Sequence, residues 1–377
     1  PEENYEDALP FFGANFWQDW ERDVHFSFYE PNGELGVALD AGIKIFGAWS
    51  RANNQRSLSI FARGRYGFSK LEYPLFPSLG YDSFESIVLR NAGNDWMKSN
   101  MRDVMTTSLM AGSGLETQAF RSVAVYLNGE YWGFYNIREK VNEHFLDDKI
   151  NVDKSAINIL EFNGDIVEGS NDSYNELIGY IRNNSLAVQD NYDFVANQID
   201  IENLITYQVA QIYADNQDWP GNNAKFWNSP QTQWRWILFD TDFTFGTWNS
   251  QAYSNDTLSF ALSDNGPGWP NPPWSTFLVR KLMENSQFRN QFINQFADEF
   301  NSRFKADKVI QHIDAIADTM EPEMTKHFQR WGEGKTVSVW QSEVDTLKTF
   351  GSNRLPSLKY YIGNYFGISG MYELNIA

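Results

Sequence analysis

Asp215-Asn-Gln-Asp218-Trp-Pro-Gly-Asn222-Asn223 separates two stretches of different pattern. Before it, residues 201–213 repeat apolar side chains at helical spacing. That run opens on Asp200, a good N-cap, with Glu202 in the first turn, where the helix dipole favours an acid. After it, Lys225-Phe-Trp227 and Gln233-Trp-Arg-Trp-Ile-Leu-Phe239 read as the strands of a hairpin around a turn at 228–231. Pro220 and Gly221 demand a tight loop. The hairpin returns the chain to the place it left, so Asp240 and Asp242 are expected beside Asp218 and Asn223. Carboxylate and amide oxygens gathered in this way are hard donors suited to Mg2+, Mn2+ or Ca2+. An Asp and an Asn five positions apart, or an Asp-x-Asp at a strand end, says little alone. The ordered set of helix, Asp-loop-Asn, hairpin and Asp-x-Asp carries the reading.

Working outward, the chain before residue 160 is rich in strand signals. Val24-His-Phe-Ser-Phe-Tyr29 alternates and then turns at Pro31-Asn-Gly33. Gly42-Ile-Lys-Ile-Phe46 and Leu58-Ser-Ile-Phe-Ala62 flank a polar loop from Gly47 to Arg56. Val123-Ala-Val-Tyr-Leu127 and Tyr131-Trp-Gly-Phe-Tyr-Asn-Ile137 flank Asn128-Gly129, a strong hairpin signal. Helices are predicted over 99–111 and from Arg138 through Leu146, which puts Glu139 in a first helical turn. Ala156-Ile-Asn-Ile-Leu160 reads as a strand leading into Glu161-Phe-Asn-Gly164. Beyond it the pattern turns helical over 175–183, 192–199, 201–213 and from 275 to about 350, interrupted by a Gly-, Pro- and Asn-rich loop at 264–273. An aromatic patch at 360–366 closes the tail. The expected class is α+β, with a strand-rich lobe over 1–160 and a mainly helical lobe over 161–377.

Composition narrows the chemistry. A net charge of −19 and a pI near 4.6 repel phosphate backbones, so nucleic acid is not an expected partner. The absence of cysteine removes disulfides, thiolate metal sites and thiol nucleophiles. Four histidines, none spaced as a metal pair on one helix, leave Asp, Glu, Asn, Lys and Arg to do the work. No stretch is long and apolar enough to span a membrane. A start at Pro1 without Met suggests a chain trimmed from a longer precursor, and the lack of cysteine suits an exported bacterial protein. The expectation is therefore a secreted or cell-surface bacterial monomer, part of a larger multidomain chain.

In protein kinases the catalytic Asp precedes a metal-binding Asn by the same five positions as Asp218 and Asn223, and a hairpin then leads to the metal-holding Asp. Five motifs occur here in order: Gly47-Ala-Trp-Ser50-Arg51 with Arg56-Ser-Leu58; Arg90-Asn-Ala-Gly-Asn94-Asp95; Val125-Tyr-Leu-Asn-Gly-Glu-Tyr-Trp-Gly-Phe-Tyr135 with Glu139; Asp215 to Asn223; and Trp236-Ile-Leu-Phe-Asp-Thr-Asp-Phe-Thr-Phe-Gly246. Through them the sequence resembles the CotH family, the spore-coat-protein-H-like kinases, from about Gly42 to Gly246.

The resemblance implies an atypical protein-kinase-like bilobal fold with a nucleotide cleft between the lobes. It implies transfer of the γ-phosphoryl group of ATP, assisted by Mg2+ or Mn2+, to a Ser, Thr or Tyr hydroxyl of a protein. Asp218 would be the base, Asn223 and Asp240 the metal ligands, and Asp242 a second ligand or support. Glu161 would belong to the hinge beside the adenine. Gly47, Ser50, Arg51 and Arg56 would face the nucleotide, with Arg56 where the family usually has a lysine. Lys70 is a second candidate for the phosphates, and Glu139 would pair with either. Arg is not a neutral replacement for Lys, so a pseudokinase-like surface binding or assembly module is the alternative. A metal-dependent hydrolase using the same carboxylates ranks last. Arg90, Asn94, Asp95, Arg102 and Asp103 read as a structural polar network, Trp219, Trp227, Trp234 and Trp236 as core or cleft walls, and the loop 269–274 as surface structure in preference to a lid or an exposed binding loop.

Overall fold

The computed structural model describes residues 5–368 and 370. The chain runs β1 (Arg22–Tyr29), β2 (Leu35–Phe46), β3 (Ser57–Phe61), β4 (Leu71–Glu72), β5 (Ser83–Phe84), β6 (Ser86–Arg90), α1 (Arg102–Leu109), β7 (Glu116–Thr117), β8 (Phe120–Leu127), β9 (Glu130–Glu139), α2 (Glu143–Ile150), β10 (Asn158–Glu161), β11 (Asp165–Glu168) and α3 (Asp172–Asn183). It continues through α4 (Gln189–Ala196), α5 (Ile201–Ala214), β12 (Lys225–Ser229), β13 (Thr232–Leu238), α6 (Thr257–Ala261), α7 (Pro273–Leu282), α8 (Ser286–Asn301), α9 (Ala306–Trp331) and α10 (Val337–Phe366). The class is α+β. Two compact units are formed. One comprises the described residues of Pro1–Val104, Gln118–Asn151 and Ala317–Gln341; the other comprises those of Met105–Thr117, Val152–Ile316 and Ser342–Ala377.

The first unit is built on an antiparallel six-stranded sheet in the order β1-β2-β3-β6-β9-β8. The Asn128-Gly129 turn between β8 and β9 takes φ values of 51° and 82°, the left-handed pair that a tight hairpin needs. Phe28, Leu39, Ile60, Leu75, Phe76, Phe84, Ile87 and Ile137 form the core on one sheet face. Each such side chain contributes roughly 1.5–3 kcal/mol on burial. Asp95 is fully buried and accepts from the backbone N–H groups of Ser99, Met101 and Arg102 at 2.8–3.1 Å. Its carboxylate also pairs with Arg102, while Asp103 pairs with Arg90 and Arg138. This is the expected structural network. Asn100, left-handed at φ 60°, explains why α1 opens at Arg102 and not at the predicted 99, since a right-handed helix cannot pass through that conformation.

Glu139 requires a correction. It is the last residue of β9, opposite Ile87 of β6, and not in a first helical turn. Seven consecutive buried residues at the end of β9 erase the period-two signal, as happens when both faces of a strand are covered. The helix starts later, at Glu143, where Asn142 Oδ1 accepts from Phe145 N–H at 3.1 Å.

The second unit combines helices with a sheet in the order β11-β10-β12-β13-β7, antiparallel except for the β13–β7 pair. Every residue of α5 from Asn203 to Ala214 is buried, which suits its unusually apolar sequence. Phe288, Phe292, Phe296 and Phe300 line one face of α8 at four-residue spacing and are buried. Tyr213 stacks on Phe304 with ring centroids 3.7 Å apart. The predicted hairpin is present as β12–β13, with Phe226 opposite Trp236 and Trp227 opposite Arg235. Strand β11, exposed at every residue, was not anticipated, because its side chains carry no burial pattern. The tail aromatics at 360–366 continue α10.

Candidate functional site

The loop after α5 is held from both ends. Asp215, at the C-cap of α5, is left-handed (φ 52°) and buried. Its carboxylate accepts from Gln217 Nε2 at 2.8 Å, from Asn255 Nδ2 at 2.9 Å and from the Thr257 hydroxyl. Asn216 Oδ1 then accepts the backbone N–H of Asp218 at 3.0 Å, and its amide donates to Gln211 Oε1 at 2.8 Å. These contacts fix the direction in which the Asp218 side chain leaves the loop.

The Asp218 carboxylate is buried and accepts one amide on each oxygen: Asn222 Nδ2 on Oδ1 and Asn223 Nδ2 on Oδ2, both at 2.9 Å. Asn223, left-handed at φ 49°, also donates to the Asp240 carbonyl at 3.3 Å. The hairpin β12–β13 therefore delivers Asp240 to the Asp218 loop, as its length and pairing predict. Glu161 is drawn to the same end of the sheet. It lies opposite Lys225 in the β10–β12 pair, with Lys225 Nζ 3.6 Å from its carboxylate, and the next residue, Phe162, donates its N–H to the Ala224 carbonyl at 3.0 Å. Asp242 is buried, and its carbonyl accepts from Thr247 Oγ1 at 2.8 Å.

Burial pushes the Asp218 carboxyl up to about 6; the negative charge of Asp240 adds to the rise, and the Asn222 and Asn223 amides oppose it. A buried carboxylate whose proton affinity is raised by burial and by a second acid nearby is a place a cation would relieve. Among the described residues, no group of three His, Cys, Asp or Glu side chains is placed to hold a metal. The donor set here is instead mixed: Asp218 and Asp240 carboxylates with Asn222 and Asn223 amides. With its NH2 turned to Asp218, Asn223 keeps Oδ1 for a cation. Such a set fits a hard divalent ion that draws its remaining oxygens from phosphate and water, the habit of Mg2+.

The remaining predicted residues belong to the first unit. Gly47 (φ 104°) opens a turn in which Ser50 Oγ comes within 2.6 Å of where a Cβ would stand, so this position requires glycine. Arg51 Nε closes the turn on the Gly47 carbonyl at 2.6 Å, and Arg51 Nη1 reaches the Trp17 carbonyl at 3.2 Å. Arg56 donates Nε to the Arg51 carbonyl at 2.9 Å and lies 4.2 Å over the Phe16 ring. Glu139 receives Lys149 at 3.2 Å, the Ala119 N–H at 2.7 Å and the Tyr81 hydroxyl. Lys70 pairs with Asp148 at 3.6 Å. The pairing of Glu139 with Arg56 or Lys70 is therefore replaced by one with Lys149, which the helix α2 brings back over the end of β9.

The family model for CotH kinase proteins matches residues 43–358. The chain belongs to the CotH family. No curated protein matches it. The CotH match runs well past Gly246, where the sequence resemblance ended, and takes in α6 to α9 and most of α10. That extension has a physical counterpart. Arg354 of α10 is fully buried and donates to the α5 carbonyls of Ile212 at 2.7 Å and Tyr213 at 2.9 Å, to the Asn255 carbonyl at 2.8 Å and to Thr257 Oγ1 at 2.8 Å. It satisfies the C-terminal carbonyls of α5, where a cation is favoured. Sequence reading missed Arg354. Its signal was a lone arginine in the apolar row Phe350, Arg354, Leu358 and Ile362, all buried. The reading also missed that Gly221 donates to the Pro270 carbonyl at 2.6 Å, and that a Cβ there would meet Pro272 at 2.3 Å. The loop 264–273 is thus a buttress of the Asp218 loop.

Proposed function

We propose that this chain is a secreted or cell-surface CotH kinase that transfers the γ-phosphoryl group of ATP to a Ser, Thr or Tyr hydroxyl of an acceptor protein. The observation that carries the reading is the buried Asp218 carboxylate, bonded to Asn222 and Asn223 beside Asp240, in a chain of this family. In the proposed reaction Asp218 accepts the hydroxyl proton as the acceptor oxygen bonds to the γ-phosphorus. The bond from that phosphorus to the bridging oxygen breaks, and ADP leaves with its electron pair. Asn223 and Asp240 would hold a divalent cation, with Asp242 in support; when bound, the ion would neutralise phosphate charge. Glu161 would sit beside the adenine, and Gly47, Ser50, Arg51, Arg56 and Lys70 would face the nucleotide. A kinase-like bilobal arrangement, with functional halves at 1–160 and 161–377, is part of the same reading and draws support from the α+β class.

Incubation with labelled ATP, Mg2+ or Mn2+ and mixed acceptor proteins tests it. Label is expected from the native chain and not from Asp218→Ala or Asp240→Ala; equal labelling by all three would end the proposal. One observation favours a second reading, a pseudokinase-like binding or assembly module. The Arg56 guanidinium is spent on the Arg51 carbonyl and the Phe16 ring. Calorimetry separates the two: nucleotide bound with metal and then turned over excludes the module.

A further inference from the structure

Within the second unit a cavity of about 640 Å³ is lined by Asn163, Tyr174, Arg182, Trp274, Phe277 and Arg280 among others. That is the size of a small-ligand or side-chain site. Among the described residues no Asp or Glu lines it, although acids outnumber bases 49 to 30 in this chain. Arg182 lies with its guanidinium 5.8 Å from the Phe277 ring. Arg280 is held by Thr276 Oγ1 at 3.0 Å and the Pro273 carbonyl at 3.3 Å. Neither arginine forms an ion pair among the described residues. Two guanidinium groups lining a partly aromatic cavity, with no ion-pair partner among the described residues, match carboxylates that arrive from outside.

The cavity walls continue into segments that abut the Asp218 loop. Pro273 and Trp274 open α7 directly after Pro270 and Pro272, which touch Gly221. Asn163 follows Phe162, whose N–H donates to Ala224, the residue after Asn223.

We propose that this cavity recognises an acidic peptide segment of the acceptor protein, with Asp or Glu carboxylates on Arg182 and Arg280 and an aromatic side chain against Tyr174, Trp274 and Phe277. The role as acceptor recognition rests on the kinase reading above; the binding itself does not. A nucleoside triphosphate is a poorer match, because its divalent ion would find no carboxylate donor there.

The test is fluorescence anisotropy of a labelled hexapeptide of alternating Glu and Trp against its Gln counterpart, on the full chain without nucleotide. The acidic peptide is expected to bind at least tenfold more tightly than the Gln peptide. Arg182→Gln with Arg280→Gln is expected to cost tenfold or more, and the exposed single change Arg182→Gln severalfold with an unchanged melting temperature. Asp218→Asn is expected to leave peptide binding as it was, so a failed kinase assay with intact peptide binding refutes only the catalytic reading. Equal binding of both peptides, native affinity in the double variant, or displacement of the peptide by MgATP would overturn the pocket.

Discussion

A single carboxylate, Asp218, concentrates the chemistry proposed for this chain, and its environment sets its pH range. With its carboxyl at about 6, chiefly through burial, Asp218 is protonated in acid and ionised above that value. A base must be ionised to accept a proton, so phosphoryl transfer is expected to rise as pH climbs through about 6 and then level off. Single-turnover rates across pH 5 to 8 check this, and a flat profile would contradict the assignment. Added Mg2+ should move the acid limb to lower pH, since a cation favours the ionised form. Asp218 and Asn223 were legible because the order of helix, Asp-loop-Asn, hairpin and Asp-x-Asp brings them together. Asn216 was not, since its role is a bond to the Asp218 backbone that no spacing encodes.

At the scale of elements, the Asp218 loop is set by contacts from far along the chain, Pro270 against its Gly221 and Arg354 on the end of α5. A Cβ at Gly221 would stand 2.4 Å from the Pro270 carbonyl oxygen, a backbone atom that cannot swing aside. Gly221→Ala is therefore expected to cost about 1–3 kcal/mol, as overpacking does, and to lower the rate by shifting Asp218. Urea denaturation read beside the rate would show both losses; a rate loss without a stability loss would point away from the buttress. Arg354→Met removes the donor that satisfies the Ile212 and Tyr213 carbonyls of α5 and takes a positive charge from the neighbourhood of Asp215. The expected loss is about 1–3 kcal/mol for each carbonyl left buried without a partner, seen as a lower urea midpoint. Helices with clean apolar periodicity and the two main hairpins could be read from sequence. The end of β9 could not, because a strand covered on both faces loses alternation, and β11 could not, because a fully exposed strand has none.

For the whole molecule, acidity and the return of distant segments matter most. His327, from the stretch Ala317–Gln341, is buried in the first unit and accepts the Phe134 N–H at 3.2 Å. Burial lowers its pKa to about 4 from 6.5. The unfolded chain then binds the extra proton at a higher pH than the folded one, so the stability His327 confers is complete above 6.5 and is lost as pH falls toward 4. The stability gap between the native chain and His327→Gln should widen as pH rises from 4 to 6.5 and stay constant beyond. A gap that does not vary with pH would show that His327 does not titrate in this range. The α+β class followed from pattern, but the interleaving of the two units did not, since it depends on contacts between residues hundreds of positions apart.

Arg354 carries a consequence for how the protein is made. Synthesis from the N-terminus releases Asp218 more than a hundred residues before the arginine that steadies its loop. A nascent chain, or one clipped by a protease within α10 before that arginine, would possess every residue proposed for phosphoryl transfer and still lack the fixed loop. Translation through Arg354 is thus expected to be the step that arms the protein, and proteolytic trimming of α10 a route to disarming it.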